Sequence, residues 1–115
     1  MHLSVRDTIG RNAITLRDGQ AIFEIVSPRL TNGETVYLDF DGVEVFASPF
    51  FNAAIGQLLG ILSPTALNSL LRMTNLSDLG TRTVRSVIEN AKEYFSRDSK
   101  QRAALDSILE NATVH

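Results

Sequence analysis

The chain has 115 residues, of which 43% are hydrophobic and 21% charged, the composition of one globular domain rather than of a disordered chain. Eleven Lys and Arg against thirteen Asp and Glu leave a net charge of −2, which argues against nucleic-acid binding driven by positive charge. Cysteine is absent and the two histidines, His2 and His115, stand at opposite ends, so neither thiolate chemistry, a His-based catalytic dyad nor a zinc site is expected.

His2-Leu3-Ser4-Val5-Arg6 alternates polar and apolar residues as a half-buried strand does, and Asn12 to Leu16 extends or pairs with it. Asp18-Gly19 is expected to turn the chain, with Asp18 capping a short helix over Gln20 to Val26 whose apolar face is Ala21, Ile22, Ile25 and Val26. Pro28 lacks a backbone donor and restricts Ser27, so the helix is expected to end there, with Asn32-Gly33 as the next turn.

Glu34 to Phe40 is the clearest strand: Val36, Leu38 and Phe40 point one way, Tyr37 and Asp39 the other. Asp41-Gly42 interrupts it, and Val43, Val45 and Phe46 resume the extended pattern. Ser48 followed by Pro49 reads as a helix cap and first helical residue, opening an apolar helix that runs through Phe50, Ala53, Ala54, Gln57, Leu58 and Ile61. Ser63-Pro64 repeats that signal. Leu67, Leu70, Leu71 and Met73 fit a helix or a buried strand equally.

From Ser77 or Asp78 a further helix carries Val84, Val87, Ile88, Ala91, Tyr94 and Phe95 on one face and Arg82, Arg85, Glu89, Lys92 and Glu93 on the other. Ala103 to Leu109 is a last helix, at about residues 99–111, or a continuation of that one. Strands mixed with helices indicate an α/β or α+β fold in one domain over residues 1–115. The longest apolar stretch, Ile55 to Leu62, is broken by Gly56, Gln57 and Gly60, so no membrane span is expected. The first ten residues lack the pattern of a signal peptide, and a cytoplasmic location is expected.

The block Val36-Tyr37-Leu38-Asp39-Phe40-Asp41-Gly42-Val43, followed by Val45 to Phe50 and a small-residue helix, resembles a STAS-type domain. That fold is shared by anti-sigma-factor antagonists and the cytoplasmic domains of anion transporters. The match is closer to the bacterial STAS-like family of small proteins, where a strand of this form leads to a Ser-containing turn and a helix like Asn52 to Leu59. The resemblance runs from about residue 3 to 95 in element order. It implies an α/β fold with a small mixed sheet faced by helices mainly on one side. It also implies a strand near Leu70 to Thr74 and a protein-binding surface at the Ser turn.

In the antagonists that turn reads Asp-Ser-Ser-Gly, and the second Ser is phosphorylated by a histidine-kinase-like ATPase. Here Ala47, Ser48, Pro49 and Phe50 occupy those places, so the acceptor position is a proline and only Ser48 keeps a hydroxyl. The implied regulatory surface is Ser48, Pro49, Phe50, Phe51 and Asn52, with Ser48 as its candidate phosphorylation site. A phosphate there would meet free backbone donors at a helix start; the alternative is that Ser48 simply caps the helix. Phe50 and Phe51, being adjacent, are expected to face different ways, one into the core; the other is an exposed partner anchor, or both belong to the core of so apolar a segment.

The resulting expectation is a non-enzymatic regulatory module that binds a protein, with a histidine-kinase-like ATPase as the implied partner class and no cofactor, nucleic acid or membrane. Two other classes are open. Asp39-Phe40-Asp41 has the spacing of an Asp-x-Asp phosphatase motif that works with Mg²⁺, but without the lysine and further acidic pair such chemistry needs. A structural homo-oligomer would be built through the Leu105, Ile108, Leu109 stripe. Arg72, Arg82 and Arg85 form either a small anion-binding patch or a solvated face.

Overall fold

Val36, Leu38 and Phe40 are fully buried while Tyr37 and Asp39 between them stay partly open, so the alternation read in the sequence is realised in strand β3, Val36–Asp39. The computed structural model describes residues 1–111, with side chains described from 1 to 96. β3 is the centre of a three-stranded sheet with β1, His2–Ser4, on one side and β5, Leu71–Thr74, on the other. Both pairings are parallel, and register aligns His2, Tyr37 and Arg72 in one row and Ser4, Asp39 and Thr74 in another.

A strand order that always advances in one direction, joined by right-handed crossovers, puts every crossover helix on the same face. That face carries the core; the other is left with the two polar rows, where the His2 and Tyr37 rings stack 4.5 Å apart. The one-sided α/β arrangement expected from the STAS resemblance is therefore present, as is a strand at Leu71–Thr74. The expected mixed sheet is corrected to one with only parallel pairings among the described residues.

The helices depart from the sequence reading in instructive ways. Val5–Ile9 forms a short helix, α1, where a strand was expected to continue, because Ser4 Oγ accepts from Asp7 N–H at 3.1 Å and caps it. A second, two-stranded parallel sheet joins β2, Asn12–Ala13, to β4, Val45–Phe46. Helix α2 spans Leu16–Thr31, longer at both ends than expected. Its cap is Thr15, whose hydroxyl accepts from Asp18 N–H at 3.1 Å, so Asp18-Gly19 lies inside the helix and is not a turn.

At its other end Pro28 removes one donor without ending the helix. Gly33, at φ +84°, then closes it with the paired bonds Gly33 N–H to Leu30 O and Glu34 N–H to Arg29 O, both 3.0 Å.

The expected helix from Phe50 to Ile61 is two pieces: α3, Ser48–Ala54, and a 3-10 helix, Gly56–Gly60. Helix α4, Pro64–Leu70, runs directly into β5, so the ambiguous apolar stretch is a helix followed by a strand. Helix α5, Asp78–Asn111, is continuous, and Ser77 Oγ accepts from Gly80 N–H at 3.1 Å. Its buried face is Val84 and Val87, backed by Ile88, Ala91 and Phe95; Tyr94, expected with them, is exposed. The Leu105, Ile108, Leu109 stripe lies outside the described side chains. Gly60 makes room for α5, since a Cβ there would sit 2.8 Å from the Phe95 ring.

Candidate functional site

The parallel pair β2 and β4 feeds two helices that start side by side. Ala13 pairs with Phe46, and Ala47 N–H donates to Ala13 O at 2.9 Å, so Ile14 is level with Ala47 as the chains turn into α2 and α3. Inside this pair Phe46 stacks on Phe51 at 5.8 Å between ring centroids, and Phe40 packs at a tilt against both. Helix α3 is pressed on α2 through Gly19: a Cβ there would overlap the Phe50 carbonyl oxygen and lie 2.9 Å from Ala53 Cβ. Gln57 Nε2 donates to Gln20 Oε1 at 2.6 Å and to Ala53 O at 2.9 Å, tying the same two helices together.

This wedging explains why Phe50 and Phe51 are both fully buried. Of the two readings the core one holds and the outward anchor is corrected: α3 is enclosed on more than one side, so adjacent residues reach apolar surroundings in different directions. Both leave the candidate contact surface. Ser48, Pro49 and Asn52 remain on it, all exposed.

The capping reading of Ser48 is corrected as well. Ala47 is the cap residue, with an extended backbone at φ −142° and ψ 149°, and Ser48 is already helical. Its hydroxyl makes no hydrogen bond among the described residues.

Around Ser48 the structure adds residues that sequence reasoning missed. Ile14, Leu16 and Val45 are 41%, 63% and 43% exposed, three of the large apolar side chains that face solvent. Asn12 is level with Val45 and Ile14 with Ala47, so Ile14 and Val45 share the outer face of the small sheet beside Ser48. The signal for this was present in Thr15-Leu16-Arg17-Asp18, a Thr cap with an acid three residues on, which moves the helix start forward and leaves Leu16 on its rim.

A family model described as the STAS-like domain of unknown function (DUF4325) matches residues 18–81, from the first turn of α2 to the start of α5. The chain belongs to this STAS-like family. No curated protein and no solved structure matches it. The matched span of the STAS-like domain contains Val45 and the Ser48 turn, whereas Ile14 and Leu16 lie just ahead of it.

Asp39 and Asp41 end the central strand of the STAS-like sheet, and their chemistry is visible. Asp39 Oδ1 accepts from Asn75 Nδ2 at 2.8 Å and from Asp41 N–H at 2.9 Å. Those two bonds hold its carboxyl below the usual aspartate range, with a smaller contribution from the charge of His2. Asp39 thus joins the end of β3 to the end of β5, where Asn75 sits in the left-handed region at φ +57°. The turn itself closes through Val43 N–H to Phe40 O at 3.0 Å, with Gly42 at φ +82° under the Arg6 side chain.

Among the described residues no three His, Asp or Glu side chains are grouped to hold a metal ion, and Lys92 pairs with Glu89 at 3.7 Å on α5. Arg72 on β5 and Arg82 and Arg85 on α5 are exposed. No single helix among the described residues is long and apolar enough to cross a membrane.

Proposed function

We propose that this STAS-like domain is a non-enzymatic protein-binding module. Its contact surface is the point where α2 and α3 start together: Ile14, Leu16, Val45, Ser48, Pro49 and Asn52. One observation carries the reading. Three large apolar side chains are left in solvent around a helix start whose serine makes no hydrogen bond among the described residues.

Exposed apolar side chains grouped at a polar rim mark protein contact surfaces. The burial of Phe50 and Phe51 beneath gives that surface a stiff base, which lowers the ordering cost of binding. The resemblance of the Val36–Leu59 block to anti-sigma-factor antagonists, and not the matched family, whose function is unknown, supports a role in signalling and a partner of the histidine-kinase-like ATPase class. Ser48 is where a phosphate would act on this surface, by placing about −1.5 to −2 charges beside apolar contacts.

A photo-crosslinking side chain introduced at Ile14, Ser48 or Asn52 in cells that make the protein tests the surface. The control is Thr31, at the far end of α2, about 22 Å from Leu16 by helix rise. The expected result is one common protein adduct from the three surface positions and none from Thr31. Adducts from Thr31 alone, or no shared adduct, would remove the surface. Conversion of Ser48 to Asp is expected to change affinity for the captured partner; unchanged affinity, with no phosphate found on Ser48, removes the switch.

A further inference from the structure

We propose that the free edge of β5 is a strand-addition site for an extended, acidic segment of a partner protein. The site is built from other elements than the Ser48 surface. Among the described residues the sheet order leaves β5 with a neighbour on one side only. Phe40 N–H donates to Thr74 O at 2.9 Å, so Thr74 and, two residues back, Arg72 direct their backbone groups to β3. Leu71 and Met73 therefore direct theirs to the open side. The Leu71 N–H is taken by Leu67 O at the end of α4, which leaves the Leu71 carbonyl and both Met73 backbone groups facing outward.

Two cavities flank this edge, of about 360 and 570 Å³, and they share Asn68, Leu71 and Met73. Between them they offer apolar lining on one side of the strand and Tyr37, Arg72 and Thr74 on the other. That is the alternation an added strand presents, one set of side chains to each face.

Charge selects the occupant. The charged residues lining the two cavities are Arg72 and Lys92, of which Lys92 is paired with Glu89 at 3.7 Å and Arg72 is the cation beside the strand. No Asp or Glu lines either cavity among the described residues. In a protein of net charge −2 this groove is a local reversal, and it favours a strand carrying carboxylates. A second copy of β5 would bring another Arg72 to the same groove.

The test titrates the isotope-labelled full chain with three short peptides followed by amide NMR. One alternates valine and glutamate, one alternates valine and lysine, and the third is the glutamate peptide with alternate backbone nitrogens methylated. The expected result is binding of the glutamate peptide with slowed exchange of the Met73 amide, about tenfold tighter than the lysine peptide. Methylation is expected to abolish binding. Arg72→Glu, a substitution at an exposed position, is expected to invert the preference, whereas Ser48→Asp leaves it unchanged. A failure at this edge and a failure at the Ser48 surface are therefore separately visible. Equal binding of the two charged peptides, shifts mapped away from β5, or no binding would overturn the proposal. So would a dimer in sedimentation with the Met73 amide already protected, since the occupant is then a second copy.

Discussion

Gly19 is the fourth residue of α2, inside the helix, where alanine would ordinarily stabilise by about 1 kcal/mol. Its Cβ, however, would overlap the Phe50 carbonyl oxygen, a backbone atom that cannot rotate away. Overpacking costs about 1–3 kcal/mol, and overlap with a fixed backbone atom belongs at the upper end, so the steric term wins and Gly19→Ala is expected to be a net loss of up to about 2 kcal/mol. Urea unfolding should show a lower midpoint at unchanged slope.

Asp39 makes a prediction of opposite character. Its carboxyl is lowered by the Asn75 and Asp41 bonds, so its contribution to stability is present above the ordinary aspartate range and is lost as pH falls through the lowered value. The wild type is expected to be more stable than Asp39→Asn at neutral pH, and the gap should close below about pH 4, in thermal unfolding followed across pH.

The two Ser-Pro pairs show what a sequence signal does and does not decide about an element. Ser63 Oγ accepts from Ala66 N–H at 3.1 Å and caps α4, while Ser48 is one residue inside α3 and caps nothing. Ser63→Ala is expected to cost about 1 kcal/mol and Ser48→Ala close to none, by chemical denaturation of both variants.

The difference comes from β4, whose pairing with β2 holds Ala47 extended through its bond to Ala13. A long-range constraint therefore shifts the helix start by one residue. The same reason hid the true length of α2. Thr15 and Asp18 carried its start, and Gly33 its end, but the glycine at 19 read locally as a turn because its purpose is contact with α3. Strand β3 was legible since its alternation is local, and the helix-then-strand junction at Leu71 was not, since Leu67, Leu70, Leu71 and Met73 fit either state.

For the molecule as a whole, the order β1-β3-β5 sends both crossovers to one face, and this explains the division of labour on its surface. The covered face consumes the aromatic residues: Phe40, Phe46, Phe50 and Phe51 form one cluster, which is why the paired phenylalanines that looked like binding anchors are structural.

The fold class was legible from the Val36–Leu59 block and the family match agrees with it. Of the residues in the proposed site, the sequence offered Ser48, Pro49 and Asn52, which are exposed, whereas Ile14, Leu16 and Val45 are added through a strand pairing that no local pattern reveals.

Leu16, 63% exposed at the first turn of α2, can be changed without opening the core, so it separates binding from stability better than any neighbour. The most direct measurement is calorimetric titration of the partner captured at Ser48 against the wild type and Leu16→Asp. The expected result is at least about a tenfold loss of affinity, as for a central apolar contact, with the unfolding midpoint unchanged. Equal affinity for both proteins would contradict the assignment of this surface.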